Sequence, residues 1–311
     1  MDNNTNTTLY TGGRLTRAFY QLLFFAAAIV LISVAHVPKA EAARCTVASN
    51  GDTSCTHNTR YNQYWCNGVP VARKVRWQVP EGTPPAGGWP VAFLYQGTNF
   101  NDSNHPFSRK AGDSFGTIYE TRMIREMLDN PSGTGQKYAV LVPEPPNSTV
   151  LVEFWHTNVV TPYSVSCDQD FFDDFFAEIK SGSYGSQLNM NKRYAFGISS
   201  GGYNTSRMAV SFNSGTANSN TFKALAVISA SYATCKGAIC SVPSLPANHP
   251  PTRFYHGTAD LIVPISTMRK YYDQLGIQSL ERSKIEHGSG HTYTSHNVGS
   301  TGVKAWFDAH P

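Results

Sequence analysis

Charged residues are scarce in this 311-residue chain, and so are the patterns that bind metals or nucleic acids. Asp, Glu, Lys and Arg make up 15% of the residues, with a formal net charge of +4, too little for strong electrostatic binding to nucleic acid. There is no C-x-x-C pair and no Cys/His cluster, which argues against a zinc site. Internal repeats, Ser/Thr/Pro-rich linkers and a second block of distinct composition are also missing. We therefore expect one domain, without a metal site and without nucleic-acid binding.

The sequence has one long apolar run, near its start. Arg14 and Arg17 precede Leu22–Ala35, and Ala40-Glu41-Ala42 then matches the small-x-small pattern of a signal cleavage site. The run is short for a transmembrane span, although a membrane anchor is the alternative. We expect residues 1–42 to be a secretory signal peptide that is cleaved near Ala42. The mature protein is then secreted and is not stably inserted in a membrane.

About 269 residues remain after that cleavage, a common size for a single α/β domain. Their net charge is near +3, since three basic and two acidic residues leave with the signal. All six cysteines fall in this part, which indicates up to three disulfides in an exported chain and allows fifteen ways of pairing them. Cys235 and Cys240 bracket a short loop, and we predict that they pair. Three of the other four lie near the mature N-terminus, which indicates an arm fastened to the body.

Apolar runs alternate with segments of helical periodicity along residues 43–311. This alternation predicts an α/β fold with a mostly parallel central sheet and helices on both faces. The predicted strands are Val75–Val79, Pro90–Tyr95, Tyr138–Val142, Arg193–Ile198, Leu225–Ser229, Arg253–His256 and Lys284–His287. The predicted helices are Ile118–Leu128, Asp168–Ile179, Gly201–Phe212, Ile265–Leu275 and Gly302–Ala309.

The pentapeptide Gly197-Ile198-Ser199-Ser200-Gly201 stands between a short apolar run and a segment that can begin a helix. Strand, G-x-S-x-G and helix together form the nucleophile elbow of the α/β hydrolases, a tight turn that raises a serine hydroxyl above the sheet. A second match, Gly112-Asp113-Ser114-Phe115-Gly116, follows a polar segment that cannot be the strand. We therefore predict Ser199 as a nucleophile and interpret Ser114 as a loop or helix-start serine.

A serine nucleophile needs a base that is itself oriented by a carboxylate. In α/β hydrolases the carboxylate follows the serine along the chain and the histidine comes last. Asp260 lies in the loop after the predicted strand Arg253–His256, at the edge where such sheets place their active sites. We predict it as the acid, with capping of the following helix as the alternative role.

Three neighbouring histidines are candidates for the base. His287 ends the last predicted strand, and His296 has the surroundings of a polar loop residue. Between them, Gly288-Ser289-Gly290 supplies a flexible turn that would bring His291 over Ser199. We therefore predict His291 as the general base.

Acyl transfer also needs hydrogen-bond donors aimed at the developing oxyanion. One expected donor is the backbone N–H of Ser200, the residue after the nucleophile. The second is expected from Gln96, Gly97 or Thr98, in the loop after an early strand, although a plain strand-end turn is the alternative. The H-G-G-G sequence of lipases is absent, so the sequence leaves open which of the three donates.

The substrate-binding residues are less defined. Trp155 and Tyr163 lie in a segment that follows a strand on the active-site side, and we expect them to line an acyl pocket or adsorb to a hydrophobic solid. Ordinary packing is the alternative. About two dozen residues separate the strand near Ser229 from the next one at Arg253, which predicts a short cap over an open cleft.

Four motifs give the chain a resemblance to a known family. G-I-S-S-G at Gly197–Gly201, Y-Q-G-T at Tyr95–Thr98, H-G-T-A-D-x-x-V-P at His256–Pro264 and G-S-G-H at Gly288–His291 are similar to those of the extracellular medium-chain-length polyhydroxyalkanoate depolymerases. The resemblance extends over essentially all of the mature chain. It implies the α/β-hydrolase fold, with Ser199, Asp260 and His291 as nucleophile, acid and base. It also implies that no separate substrate-binding domain is present.

The order of the triad residues and the resemblance together lead us to expect a secreted serine esterase that hydrolyses the ester bonds of a hydrophobic polyester, medium-chain-length polyhydroxyalkanoate. The reaction proceeds through an acyl-enzyme and needs no metal or other cofactor. An esterase for feruloyl or acetylxylan groups is the nearest alternative. A non-catalytic binding protein on a hydrolase scaffold is another alternative, but the complete Ser–Asp–His order argues against it. A secreted serine peptidase would use the same triad, although nothing in the sequence indicates peptide recognition. Oligomeric state and disulfide connectivity are left open by the sequence.

Overall fold

The computed structural model describes residues 42–98, 105–146, 154–158, 163–185, 187–213, 222–235 and 238–311. Ala43–Pro311 forms one compact unit. The predicted signal segment, up to Glu41, lies outside the described residues. Within the described ranges, no helix has the length and apolarity needed to cross a membrane.

Eleven strands and five α-helices are defined in these ranges. The strands are β1 (Cys45–Val47), β2 (Thr53–Cys55), β3 (Asn58–Cys66), β4 (Val69–Gln78), β5 (Trp89–Tyr95), β6 (Ser108–Arg109), β7 (Ala139–Pro143), β8 (Leu188–Ile198), β9 (Ala224–Ile228), β10 (Thr252–Gly257) and β11 (Arg282–His287). The helices are α1 (Ile118–Asp129), α2 (Cys167–Lys180), α3 (Ser200–Ser211), α4 (Ile265–Ile277) and α5 (Val303–Asp308). Every predicted strand and helix is present, with its ends shifted by a few residues.

Eight of the strands form the central sheet, in the order β11-β10-β9-β8-β5-β7-β4-β3. The pairs from β11 through β7 are parallel, whereas β7–β4 and β4–β3 are antiparallel. The predicted fold class is therefore confirmed. The chain reverses the direction in which it adds strands between β5 and β8, because β7 lies on one side of β5 and β8 on the other. The carboxyl ends of β5 and β8 therefore lie side by side at the edge where α/β enzymes bind ligands.

Helices cover both faces of the sheet, as the alternation of side chains along β5 illustrates. Ala92 and Leu94 belong to a core that includes residues of α1 and α5. Val91, Phe93 and Tyr95 point to the opposite face and share a core with residues of α2 and α3. Because both faces are buried, the strands β5, β7 and β9 are apolar along their whole length. These two cores fix the positions of the strand ends that carry the site.

The hairpin of β3 and β4 was not predicted in full. β4 pairs with β7 only through Val75–Gln78. The part of the hairpin nearest its turn therefore pairs within itself and extends past the end of β7. A disulfide joins Cys66, at the end of β3, to Cys167 at the start of α2. A buried ion pair of 2.8 Å between Arg73 and Asp168 lies beside it. The hairpin is thus fastened to α2 at two points.

The cysteine predictions are confirmed. Cys235 pairs with Cys240 across the short loop, and Cys45 pairs with Cys55 in a small sheet of β1, β2 and β6. Together with Cys66–Cys167, these bonds use all six cysteines. The described residues between β9 and β10 contain no helix or strand, which agrees with a short cap.

Candidate active site

Ser199 stands at a strained turn between β8 and α3. Its backbone angles are φ 54° and ψ −126°, a conformation that L-residues adopt only when the surroundings enforce it. The Ser199 N–H donates to the carbonyl oxygen of Ile228 at 3.0 Å. A Cβ at Gly197 or at Gly201 would collide with the carbonyl oxygen of Tyr95 in the neighbouring strand. The close approach of β5 thus explains both glycines of the pentapeptide and holds the serine above the sheet.

Asp260 follows β10 and is almost completely buried. Its Oδ1 accepts hydrogen bonds from the backbone N–H groups of Ile262 and Val263, both at 2.9 Å. Its Oδ2 lies 2.8 Å from His291 Nδ1 and 3.4 Å from His256 Nε2. Burial by itself would raise the pKa of Asp260, but these hydrogen bonds outweigh it and hold the pKa below its usual range. The carboxyl group is therefore ionised at neutral pH.

His291 is brought to Asp260 by contacts between the loops that follow β10 and β11. The N–H of Ala259 donates to the Ser289 carbonyl oxygen at 3.2 Å, which ties the two loops together. Because a carboxylate only accepts, the 2.8 Å contact with Asp260 assigns a proton to His291 Nδ1. In the neutral ring Nε2 is then unprotonated and free to take a proton.

The other two candidate histidines occupy different surroundings. Neither ring nitrogen of His287 has a hydrogen-bond partner among the described residues. Its ring stacks on His296 with 6.1 Å between the centroids. Burial, followed by the nearby His296 and His256, lowers the pKa of His287. Of the three candidates, His291 is the one that the structure pairs with Asp260.

Ser199 and His291 line a common cavity of about 570 Å³, together with the loop Gln96, Gly97 and Thr98. A Cβ at Gly97 would lie 3.4 Å from Ser199 Cβ, so this loop passes directly beside the nucleophile. Ser200 begins α3, and the first backbone N–H groups of a helix have no partner within it. The predicted oxyanion donors therefore flank the serine on two sides, a geometry suited to acyl transfer.

Trp155 connects the two predicted sources of oxyanion donors. Its backbone N–H donates to Ser200 Oγ at 2.8 Å, and its indole N–H donates to the Gln96 carbonyl oxygen at 3.0 Å. Its side chain has an exposed fraction of 0%. The expectation that Trp155 adsorbs to a solid or lines an acyl pocket is therefore wrong. An aromatic residue after a strand faces either cleft or core, and the sequence pattern does not distinguish the two.

Tyr163 is buried as well, and the expectation that it contacts substrate is also wrong. Its ring packs edge-on to Phe212 at a centroid distance of 6.4 Å, and the Arg207 guanidinium lies 4.5 Å above its centre. Its hydroxyl has no hydrogen-bond partner among the described residues. The rest of that segment, residues 147–153 and 159–162, lies outside the described residues.

The wall of this cavity also contains a hydrogen-bonded acid that the sequence did not reveal. Glu120 Oε2 accepts from Arg109 Nη2 at 2.7 Å, and Glu120 Oε1 accepts from the Tyr293 hydroxyl at 3.0 Å. Burial, followed by the neighbouring Glu120, raises the pKa of Tyr293 well above its usual range. Arg109, Glu120 and Tyr293 are thus hydrogen-bonded to one another within the cavity wall.

Ser114, the serine of the second G-x-S-x-G match, begins a 3₁₀ turn, Ser114–Gly116. The interpretation as a helix-start serine is confirmed. The turn nevertheless forms part of the cavity wall, a position that no sequence pattern predicts. Among the described residues, no group of three or more His, Cys, Asp or Glu side chains could hold a metal ion.

The chain is 43% identical over 283 residues to poly(3-hydroxyoctanoate) depolymerase from Pseudomonas fluorescens, which covers 87% of this chain and 92% of that protein. Among solved structures it is similar to a carboxylesterase from Bacillus cereus, with a TM-score of 0.49, 13% identity, and coverage of 77% of this chain and 95% of that one. It is also similar to a thermophilic esterase from Thermogutta terrifontis, with a TM-score of 0.49, 14% identity, and coverage of 78% and 87%. No protein-family model matches.

Proposed function

The chain belongs to the family of the poly(3-hydroxyoctanoate) depolymerase of Pseudomonas fluorescens, and from this premise we propose that it is a secreted serine esterase that cleaves medium-chain-length polyhydroxyalkanoates. Family membership makes it a carboxylic-ester hydrolase. The observation that carries the mechanism is the 2.8 Å contact between His291 Nδ1 and Asp260 Oδ2, on a histidine that shares its cavity with Ser199.

In the proposed reaction, Ser199 Oγ attacks the ester carbonyl carbon while His291 Nε2 takes the hydroxyl proton. The negative charge that develops on the carbonyl oxygen is met by backbone N–H groups of Ser200 and of the Gln96–Thr98 loop. As the carbon–oxygen bond to the alcohol breaks, His291 returns the proton to the leaving alkoxide. Water then releases the acyl group from Ser199 by the same steps in reverse.

The ionised Asp260 supports both halves of this cycle. Its carboxylate fixes His291 in the tautomer with the proton on Nδ1 and stabilises the imidazolium that forms when Ser199 is deprotonated. The hydrogen bonds that lower the pKa of Asp260 keep it charged at the pH at which the histidine must act. The proton therefore moves between Ser199, His291 and the substrate, and Asp260 stays unprotonated throughout.

Secretion is supported by the cysteine content. Three disulfides use every cysteine of the chain, and such bonds persist in oxidising compartments rather than in the cytosol. The expected processed form begins near Ala43. N-terminal sequencing of the protein from the culture supernatant tests this: an intact Met1 would contradict cleavage near Ala42.

The central experiment measures clearing of opaque polyhydroxyoctanoate and polyhydroxybutyrate suspensions by the purified mature protein. Clearing of the octanoate polymer, with little of the butyrate polymer, is the expected result. Ser199→Ala should lower the activity by several powers of ten while the protein stays folded. Ser114→Ala is the matched control, because it removes the serine of the other G-x-S-x-G match, and it should keep most of the activity.

Two outcomes would contradict the proposal at different levels. If Ser199→Ala retains near-normal hydrolysis of a soluble nitrophenyl ester, the assignment of the nucleophile is wrong. If the wild-type protein hydrolyses that soluble ester but clears neither polymer, the serine esterase stands and the polyester assignment falls. Feruloyl and acetylxylan esters would then be the next substrates to test.

A further inference from the structure

Three large apolar side chains project into solvent around the mouth of the cavity. The exposed fractions are 58% for Phe115, 95% for Leu261 and 58% for Ile262. Phe115 and Ile262 also line the cavity that holds Ser199, and Leu261 is the chain neighbour of Ile262. Single exposed apolar residues are common on protein surfaces. Three of them beside one catalytic cavity form a patch of the kind that marks an interaction site. We call these three residues the rim.

The backbone holds the rim in this exposed position. Phe115 has φ of 57°, a left-handed conformation that is costly for an aromatic residue. The N–H of Tyr293 donates to the Phe115 carbonyl oxygen at 3.0 Å and fixes this turn. The Phe115 ring meets the His291 ring edge-on, 6.5 Å between centroids. The aromatic side chain is therefore held outward directly beside the catalytic histidine.

The other half of the rim is fixed by the catalytic acid itself. Asp260 Oδ1 accepts the N–H groups of Ile262 and Val263 at 2.9 Å, and the Val263 side chain is buried in a core cluster. Leu261 is thereby placed at the outermost point of a short loop whose two ends are tied down. Its side chain packs against very little of the protein, so its exposure serves no evident purpose in the folded monomer.

We propose that the rim is the surface by which the protein docks on a solid, water-insoluble polyester. This inference rests on the proposed function. An ester bond in a particle reaches Ser199 only if the particle surface comes against the mouth of the cavity, where Phe115, Leu261 and Ile262 stand. Alkyl side chains of the polymer then cover uncharged apolar groups, and the removal of this surface from water favours adsorption. The rim joins adsorption and catalysis at one place.

The test compares adsorption with hydrolysis of a soluble ester. Ser199→Ala protein, and the same protein with Leu261→Ser added, are mixed with polyhydroxyoctanoate particles, and the protein left in solution is measured. The matched control adds Ile277→Ser instead. Ile277 is also a highly exposed aliphatic residue, at 77%, but it ends α4 at the opposite edge of the sheet from the cavity. Leu261→Ser and Ile277→Ser are also made in the active protein and assayed on nitrophenyl octanoate.

We expect Leu261→Ser to weaken adsorption roughly tenfold, because about two methylene-sized groups fewer are removed from water on adsorption. Ile277→Ser should adsorb like the parent. Turnover of the soluble ester should be equal in the two active variants, because the Leu261 side chain lies outside the cavity. Equal adsorption of the Leu261 and Ile277 variants would overturn the proposal. Loss of adsorption in Trp65→Ser but not in Leu261→Ser would also overturn it, since the exposed Trp65 of β3 is the strongest rival position.

Measuring whether the wild-type protein clears the polymer distinguishes a failure of the rim proposal from a failure of the proposed function. Adsorption through Leu261 without any clearing of polymer would contradict the depolymerase while supporting the rim. Clearing by wild type with unchanged adsorption of the Leu261 variant would contradict the rim and leave the depolymerase in place.

Discussion

The indole N–H of Trp155 donates to the carbonyl oxygen of Gln96 at 3.0 Å. Through its backbone N–H, the same residue also holds Ser200 Oγ at 2.8 Å. Trp155 is therefore bonded to both segments that are proposed to stabilise the oxyanion. Such donors act through their fixed orientation, which spares the reaction any cost of rearranging them. We therefore predict that Trp155, a buried residue outside the cavity, orients both of these segments.

Replacement of Trp155 with Phe tests this positioning role. The substitution keeps an aromatic ring but removes the donor to Gln96, so the loop loses part of its orientation. We expect kcat for a soluble nitrophenyl ester to fall about tenfold with little change in KM, less than the loss on direct removal of an oxyanion donor. Steady-state kinetics measure both parameters. An unchanged kcat would show that the loop is held without the indole.

The control for that variant is Tyr163→Phe, in the same aromatic core. The Tyr163 hydroxyl is buried without a partner among the described residues, so its removal relieves a desolvated polar group. We expect wild-type kcat and equal or slightly higher stability in this variant. A fall in kcat as large as that of Trp155→Phe would indicate general loosening of the core instead of a specific role of the indole.

His256 is predicted to position the catalytic acid. Its Nε2 lies 2.8 Å from the Val263 carbonyl oxygen, which assigns a proton to that nitrogen, and 3.4 Å from Asp260 Oδ2. We expect His256→Leu to lower kcat roughly tenfold, because Asp260 loses a donor within a buried site. His256→Gln should restore much of the activity, since its amide nitrogen reaches about as far as Nε2. Equal kinetic losses in the two variants would mean that His256 serves only as packing.

The residues proposed as the triad could be named from the sequence because the signals that point to them are local. The elbow needs five residues with a strand before it and a helix after it, and Ser199 has all of these. Asp260 and His291 each follow a predicted strand, in the chain order that α/β hydrolases use. Their mutual contact then follows from the parallel pairing of β10 with β11, which brings the ends of both strands to one edge.

Local sequence patterns predicted neither the contacts of Trp155 nor the strand β3. Trp155 meets Gln96 across 59 positions of the chain, and periodicity carries no information on such distant pairs. β3 contains no apolar run, because its buried positions include Asn62, whose amide oxygen accepts from the Tyr184 hydroxyl. The partner that makes burial of this polar group tolerable is 122 positions away. Polar residues that are buried with distant partners look like surface residues in a sequence.

The disulfides are predicted to differ in their effect on stability. Cys66–Cys167 closes a loop of 101 residues, whereas Cys235–Cys240 closes one of 5. In the chain-entropy picture, the longer loop restricts the unfolded chain more, by about 2–3 kcal/mol. The double variant Cys66→Ser/Cys167→Ser should therefore unfold at clearly lower urea than Cys235→Ser/Cys240→Ser. Equal midpoints in the two double variants would contradict the entropic account.

His249 is predicted to make stability depend on pH. Its Nδ1 lies 2.9 Å from the Pro250 carbonyl oxygen and its Nε2 2.7 Å from the Tyr271 hydroxyl. Burial, only partly offset by the bond to Pro250, lowers its pKa from 6.5 to about 4. As the pH falls, His249 therefore becomes protonated near pH 6.5 in the unfolded chain but only near pH 4 in the folded protein. Stability is therefore complete above that range and falls by about 3 kcal/mol as the pH drops through it.

The measurement for this group is urea denaturation at pH 7 and pH 4.5, on wild type and on His249→Gln. Other groups titrate in both proteins, so the difference between their two pH-induced losses isolates the histidine. We expect the variant to lose roughly 2 kcal/mol less than wild type over this interval. Equal losses would place the pKa of His249 near its ordinary value.

The packing of the elbow has a consequence for how this protein can change. Gly197 and Gly201 press against the carbonyl oxygen of Tyr95, so a new side chain at either position would push β5 out of the sheet. The walls of the cleft are different, because residues 113–115 and 261–262 lie on surface loops and are partly or largely exposed. To change the ester substrate, one would therefore keep the pentapeptide and its strands and vary the residues of those two loops, where new side chains can extend into solvent without displacing the sheet.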